Sequence, residues 1–422
     1  VSTPTEASVR EEVRAWLAQN WSPELGLAQW RRRLIESGWG CPSWPVQWFG
    51  RGLSPALAAV VEEEMRAVGA VSVAQFGVRL LVAATLLEHG TDDQKRRLLP
   101  RLLTGEDTWC QLFSEPGSGS DLAGVTTRAT EDADGWTVTG QKVWTTSAQH
   151  AHYGMLLART DWDVPKHRGL SFFVLPMHQD GVEVRPLRQM NGYASFNEVF
   201  ISGARVGREG LVGALGEGWK VALTTLAHER RMADSMRNWG RLQLGEGRIY
   251  EELKAEYDAV MEPYKWYPQR AGRADLLLGR AQRTGRIDDA VVRQDMARAL
   301  MIEHAAEWTA ARARAARATG QPPGPEGSLG KLAASNLARA AARAHASISG
   351  GDAMLAGEDG PEQGLIAEIL LSVPACSIAG GTDEIQRNII AERVLGLPKE
   401  PGGDAGIPFR DVRRNSSGLR ET

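Results

Sequence analysis

Ser114-Glu115-Pro116-Gly117-Ser118-Gly119-Ser120-Asp121 stands where the sequence changes character. Upstream, residues 6–109 carry apolar side chains at helical spacing, as at Val9, Val13, Trp16 and Leu17, with a Gly-, Pro- and Trp-rich loop over residues 38–55. Downstream, from Cys110 to about Val212, Thr, Val and aromatic residues alternate between recurrent turns, which reads as a compact β region. The octapeptide therefore opens the β region as an irregular loop. Its small residues expose successive backbone amides, a surface suited to an anion such as a pyrophosphate. Taken alone, the same run reads equally well as a tight connection.

Further signals extend this pattern in both directions. Thr91 and Gln94 have the spacing of a reciprocal capping box, predicting a helix to about Leu103 before Gly105. Asp134-Gly135 and Asp180-Gly181 each lie between strand-like runs and predict two hairpins. Long helices are expected over residues 219–257, 291–319 and 328–349, separated by the proline-rich turn 320–327, and a last one over 383–395. Residues 258–290 are less regular, and 399–422 read as a loose polar tail. The order is α, then β, then α: 1–109, 110–212 and 213–398, in a mostly helical α+β chain.

Two more motifs accompany the loop: Gly140-Gln141-Lys142-Val143-Trp144-Thr145-Thr146 and Gly381-Thr382-Asp383-Glu384-Ile385-Gln386-Arg387-Asn388. In the second, Gly380-Gly381 permits close backbone approach, and Asp383 with Gln386 has capping-box spacing, so a helix N-terminus would face a bound group. Ordinary nucleotide signatures are absent. No third Gly follows Gly117 and Gly119 at dinucleotide-fold spacing, and Gln141 replaces the Lys that a phosphate-binding loop would need after Gly140. No Gly-x-Ser-x-Gly elbow occurs.

The bulk numbers exclude several partners. The 422 residues carry a formal net charge of −3, with 42% hydrophobic and 24% charged residues, so neither nucleic acid nor an anionic membrane is indicated. Cys41, Cys110 and Cys376 are few and far apart, as expected of reduced thiols rather than a disulfide framework. His150 and His152 flank Ala151, the spacing of paired surface histidines, and no metal site is expected. The longest apolar run, near Leu80–Leu87, is shorter than a membrane span, and the acidic start (Glu6, Glu11, Glu12) is unlike a targeting peptide. The expected compartment is the cytoplasm.

The three motifs, in this order within an α–β–α chain, resemble the acyl-CoA dehydrogenase family over roughly residues 6–398. The loop from Trp44-Pro45 to Gly52, Leu99-Pro100 and the stretch Gly216–Arg230 share in the resemblance. It implies an N-terminal helical domain, a middle β domain, a C-terminal four-helix bundle, and an extended FAD whose adenine end a neighbouring subunit helps to hold. Carried over, Ser114 meets the pyrimidine edge of the flavin with Phe113 packed beside it, and Gly119 and Ser120 meet the pyrophosphate, Ser120 also facing substrate. Trp144 covers the ring system, Thr146 lies near flavin N5, Gly350 and Gly351 form a turn on the adenine side, and Thr382 and Glu384 make flavin-side contacts. Read from the residues alone, Trp144 would be β core and Thr146 an ordinary strand residue. The family reaction removes the α-proton of an acyl-CoA thioester and passes the β-hydride to flavin N5. An electron-transferring flavoprotein is the implied acceptor, and a homodimer or homotetramer the implied assembly.

The chain departs from the family pattern in two places. Many members carry the basic Glu directly before the Gly-Thr of the third motif; here that residue is Gly380. A branch resembling isovaleryl-CoA dehydrogenase places its base on the first long helix of the third domain, directly before an Arg, and the matching pair is Glu229-Arg230. Glu229 is thus the expected base, Arg230 a substrate-side residue, and Gly380 the donor of a backbone amide to the thioester oxygen. The alternative for Glu229 is one charge in a solvated His-Glu-Arg-Arg run. The second departure is the missing Arg-x-x-Phe-Gly segment in 258–290, with Ser347 where a Gln is usual, which opens an assembly of two unlike chains. Two other readings stand beside dehydrogenation: a flavin oxidase or monooxygenase on a non-CoA substrate, and a non-catalytic subunit completing a partner's site.

Overall fold

The structure is a computed structural model that describes residues 4–74, 77–236, 244–318, 324, 326–399, 402–404 and 406–412, with backbone only at 230–236 and 317–318. Two compact units emerge: residues 1–187, 195–262 and 404–422, and residues 188–194 with 263–403.

The first unit begins with five helices, α1 (Glu6–Asn20), α2 (Leu27–Ser37), α3 (Pro55–Ala67), α4 (Arg79–His89) and α5 (Asp92–Thr104). The expected Thr91–Gln94 capping box starts α5, and Gly105 closes it in the left-handed conformation. Val9, Val13, Leu17, Trp30, Leu34 and Val61 form one buried core of these helices. Trp30 is fully buried there and donates its indole N–H to Val71 O at 2.7 Å, which satisfies the polar atom that its burial would otherwise strand.

Eight strands follow: β1 (Trp109–Leu112), β2 (Arg128–Asp132), β3 (Gly135–Thr146), β4 (Tyr153–Arg159), β5 (Leu170–Pro176), β6 (Val182–Leu187), β7 (Phe196–Gly207) and β8 (Leu211–Val212). They form one sheet ordered β6-β7-β3-β2-β4-β5-β8, with β1 pairing parallel to β4. The Asp134-Gly135 hairpin is present as the antiparallel β2–β3 pair. The Asp180-Gly181 hairpin is not. β5 already has β4 on one edge and β8 on the other, so the chain crosses after the turn and β6 pairs with β7.

Helices α6 (Gly218–Met236) and α7 (Arg248–Met261) complete this unit. A Cβ on Gly218 would lie 2.4–2.7 Å from the Ser171 backbone, so α6 can start this close to β5 only with glycine there. Ile249, Tyr250 and Leu253 of α7 enter the N-terminal core. Glu252 accepts from Leu27 N, and Glu256 bonds Arg31 and Arg79.

The second unit is helical: α8 (Tyr267–Arg270), α9 (Leu277–Arg283), α10 (Ala290–Ala318), α11 (Glu326–Ser349), α12 (Leu365–Ser372), α13 (Pro374–Ile378) and α14 (Asp383–Arg393). Helices α12 and α13 are additional to those expected from the sequence, where the longest apolar run is that near Leu80–Leu87. Leu365–Arg393 in fact has a mean hydropathy of 1.6 over its best 18 residues, enough by composition for a membrane span. The chain there is three helices, interrupted at Ala379–Thr382 by two glycines in the left-handed conformation. Part of the expected loose tail is also ordered: Phe409 is buried, with its N–H on Val164 O.

Candidate functional site

β1 delivers Phe113 and Ser114 to the octapeptide. Glu115 and Ser118 then exchange backbone hydrogen bonds, each 3.0 Å, around a tip of Pro116 and Gly117. The Glu115 side chain turns inward rather than toward solvent. Its carboxylate accepts from Thr126 N at 2.7 Å, Thr126 Oγ1 at 2.8 Å, Thr127 N at 2.8 Å and Lys142 Nζ at 3.0 Å. Lys142 is completely buried and also donates to Phe113 O at 3.0 Å and Leu157 O at 2.8 Å. Burial pushes the Lys142 ammonium down, while Glu115, despite its own desolvation, is held below the usual carboxylate range by Lys142 and the threonine donors. Val143 N completes the join, bonding Ser114 O at 2.9 Å. The first two motifs are thus one hydrogen-bonded body, welded through a pair that the sequence reading had given no role. The available signal was strand parity: Lys142 shares its side of β3 with Trp136 and Val138, where a cation needs a buried acid.

Just beyond Lys142, β3 slips register against β7, and Trp144 takes a positive φ of 61°. The bulge turns its ring outward, 55% exposed and edge-to-face with Phe196 at 5.7 Å. The reading of Trp144 as β core is therefore wrong. Its neighbour Thr145 is buried, and Thr146 and Ser114 are half-buried. Gly119 and Ser120 are exposed, and a Cβ on Gly119 would meet nothing within 4 Å. An outward aromatic face beside an open, small-residue loop fits a flat ring system with an anionic chain.

Glu229 lies on α6, about three turns from the start fixed at Gly218. Buried Val221, Ala222 and Thr225 seat the helix, and Thr225 shares a 2.8 Å hydroxyl contact with Thr85 of α4. Glu229 is half-buried, and the Gln111 amide of β1 donates to its Oε2 at 3.4 Å. This places the carboxylate beside β1, the strand that leads into the octapeptide. The Arg230 side chain lies outside the described residues.

The second unit carries the remaining candidates. Gly350 takes a φ of 57° directly after α11, and a Cβ on Gly350 or Gly351 would meet nothing within 4 Å. Gly380 and Gly381 have φ of 70° and 84°. A Glu at position 380 would have to hold a left-handed backbone, which costs about 1–3 kcal/mol for a non-glycine residue. The helix cap differs from expectation: Thr382, not Asp383, caps α14 by accepting Ile385 N at 3.2 Å. Asp383 is buried instead and accepts from Lys331 at 2.9 Å and Arg339 at 2.8 Å. These bonds overcome its desolvation and hold its carboxyl at about 2. Gln386 donates its amide to Gly380 O at 3.2 Å and Gly381 O at 3.4 Å, fixing the glycine turn from below. Glu384 is exposed beside Arg387 at 3.3 Å. Ser347 donates to Asp295 at 2.7 Å, so it faces α10.

Cys41 and Cys110 carry no thiolate chemistry here. Burial raises Cys41 to about 12 and pushes Cys110 higher still, where neither is a thiolate at neutral pH.

Comparison with known proteins bears on the whole chain. The descriptions "Acyl-CoA dehydrogenase, N-terminal domain", "middle domain" and "C-terminal domain" match residues 3–106, 110–203 and 274–395. The acyl-CoA dehydrogenase IpdE1 of Mycobacterium tuberculosis is 37% identical over 420 residues, covering 93% of this chain and 98% of that protein. The (2S)-methylsuccinyl-CoA dehydrogenase of Cereibacter sphaeroides is 32% identical over 370 residues, covering 83% of this chain and 61% of that one. Among solved structures, the ChsE4-ChsE5 complex from Mycobacterium tuberculosis aligns with a TM-score of 0.58 at 26% identity, over 95% of this chain and 99% of the other. A variant of the Tcur3481-Tcur3483 steroid ACAD aligns with a TM-score of 0.62 at 25% identity, over 94% and 99%.

Proposed function

Because the chain belongs to the acyl-CoA dehydrogenase family, a group of flavoprotein oxidoreductases of lipid metabolism, we propose that it binds FAD and converts an acyl-CoA thioester to the trans-2-enoyl-CoA with Glu229 as base. The observation that carries this reading is the half-buried Glu229 carboxylate beside Gln111. Glu229 takes the α-proton, and the Gln111 amide, which donates to its Oε2, orients the carboxylate. The backbone amide of Gly380 donates to the thioester oxygen, where negative charge grows as the proton leaves. When bound, the flavin supplies the two-electron acceptor for the hydride from the β-carbon.

On the β-domain side, Trp144 offers the ring face for FAD, Ser114 and Thr146 the hydroxyls at its polar edge, and Gly119 and Ser120 the amides for its pyrophosphate. Phe113, buried under the loop, keeps Ser114 in place. Gly350, Gly351, Thr382 and Glu384 belong to the cofactor, and Ser120 and Arg230 to the CoA ester. The division of the chain into 1–109, 110–212 and 213–398, an electron-transferring flavoprotein as acceptor, and a cytoplasmic location are parts of the same proposal. So is an oligomer. Ser347 is committed to Asp295, and Arg280 is buried on His345 and Ser349, so neither is spare for a second copy's cofactor. An assembly with an unlike chain, such as the ChsE4-ChsE5 complex represents, accords with this.

Anaerobic titration with straight, branched and steroid-derived acyl-CoA esters tests the proposal. At least one ester should bleach the flavin absorbance. Glu229→Gln should slow that step by about 10²–10⁴-fold without preventing ester binding. Reduction at the parent rate in Glu229→Gln would overturn the assignment of the base. Oxygen consumption by reduced enzyme that ignores every ester would favour the oxidase reading instead.

A further inference from the structure

The C-terminal domain match ends at residue 395, yet residues farther along are built into the first unit. The Phe409 ring is 1% exposed. The Arg159 guanidinium lies 3.4 Å from its centroid, and the Trp162 ring is at 5.4 Å. The main chain docks as well, with Phe409 N on Val164 O at 2.9 Å and Arg410 N on Trp162 O at 3.0 Å, and Arg410 pairs with Asp163. These residues lie on the connection between β4 and β5. Arg159 is itself fully buried and donates to Ala123 O at 2.6 Å, Val125 O at 3.1 Å and Lys166 O at 3.0 Å. Ala123 and Val125 form the turn that directly follows the octapeptide. A second arm runs through Lys166, whose ammonium is shared between Asp404 at 2.5 Å and Asp121, the last residue of the octapeptide, at 3.0 Å.

We propose that the segment around Asp404 and Phe409 is a strap that sets the shape of the Gly119–Asp121 half of the loop, with Phe409 and Asp404 as positioning residues for cofactor and ester binding. The ligand part rests on the reading of Gly119 and Ser120 given above. The Glu115–Lys142 pair fixes the first half of the octapeptide from inside the sheet, and its reach ends at Thr126 and Thr127. The outer half has Gly119 and Ser120 in the open, and its far end, Asp121 to Val125, combines apolar burial of Leu122, Ala123 and Val125 with polar contacts to Lys166 and Arg159. Both of those cations are in turn held by the strap. Phe409 covers Arg159, keeping its guanidinium pressed onto the Ala123 and Val125 carbonyls. Asp404 balances the charge of Lys166, so that the ammonium stays over Asp121 instead of turning to solvent.

The test uses the full chain with Phe409→Ala, Asp404→Asn and, as a control on the loop itself, Ser120→Ala. In flavin-stripped protein, amide hydrogen exchange across residues 117–125 should speed up in both strap variants. In titrations with FAD, Phe409→Ala should raise the dissociation constant about thirtyfold, the size of one desolvated cation–π contact, and Asp404→Asn about threefold, as for a partly exposed ion pair. The KM for the ester should rise in parallel while kcat at saturation holds, a split that a general loss of stability would not give. Unchanged exchange at 117–125 in both variants, with loosening confined to 160–168, would overturn the proposal. If Phe409→Ala does not fold, Asp404→Asn decides by the same exchange criterion. If exchange speeds up but FAD and ester binding respond neither to the strap variants nor to Ser120→Ala, the strap stands and the ligand reading of the loop falls.

Discussion

Replacing Lys142 by Met should be among the most damaging single changes available in the β region. Methionine fills the space of the lysine stem, so the loss is electrostatic rather than a cavity. Three bonds vanish together: those to Glu115, Phe113 O and Leu157 O. Glu115 keeps its threonine donors but becomes a buried carboxylate without a counter-charge, and two carbonyls lose a charged donor. Removing one partner of a buried ion pair costs about 3–5 kcal/mol, a large part of the roughly 5–15 kcal/mol that holds a domain folded. Glu115→Gln alone leaves the Lys142 ammonium buried, but the double variant removes both charges and should recover at least about 1.5 kcal/mol relative to the sum of the singles. Urea unfolding of the three variants, followed by the near-ultraviolet signal of the β region, measures this. Acid offers an independent check. Glu115 titrates below its ordinary range in the fold, so its contribution is present above that range and is lost as pH falls through the lowered value. The Glu115→Gln variant should lack that component. A Lys142→Met midpoint within about 1 kcal/mol of the parent, or strict additivity of the two singles, would refute the account of the loop as a charge-clamped body.

Two further outcomes follow from the geometry. Trp144→Ala removes a largely exposed ring, so stability should change by no more than about 0.5 kcal/mol while FAD binding weakens; a large fall in the unfolding midpoint of the flavin-free protein would return Trp144 to the core. His345 is buried, accepts from Arg280 on Nδ1 and donates from Nε2 to Arg273 O, an arrangement for a neutral ring whose titration burial lowers to about 4. Its contribution is complete above the unfolded value near 6.5 and is lost as pH falls toward 4, about 3 kcal/mol in all, so thermal midpoints measured down this range should fall less steeply in His345→Gln than in the parent.

What was legible in the sequence was set by how local the cause was. The Thr91–Gln94 box and the Asp134-Gly135 hairpin depend on residues within a few positions of each other, and both are present. The Asp180-Gly181 hairpin failed because its cause is distant: only the sheet order shows that both edges of β5 are taken. Thr382 displaced Asp383 as helix cap for the same reason. Asp383 is claimed by Lys331 and Arg339 from another helix, and the hydroxyl one residue earlier takes up the amide. Trp144 shows the limit of periodicity most sharply, since a one-residue bulge inverts the side on which the ring emerges. In the candidate site, the residues proposed to meet ligands were picked out by their motifs. The residues that hold them in place, Lys142 under the loop, Gln111 beside Glu229, Gln386 under the glycine turn and Phe409 behind Arg159, could not. Their partners lie from five to 250 positions away, and a buried or half-buried Lys, Gln or Phe has no local signature that separates it from an ordinary one. The chemistry proposed for this chain is therefore carried by short motifs, while the supports under those motifs are pairings that only the folded chain brings together.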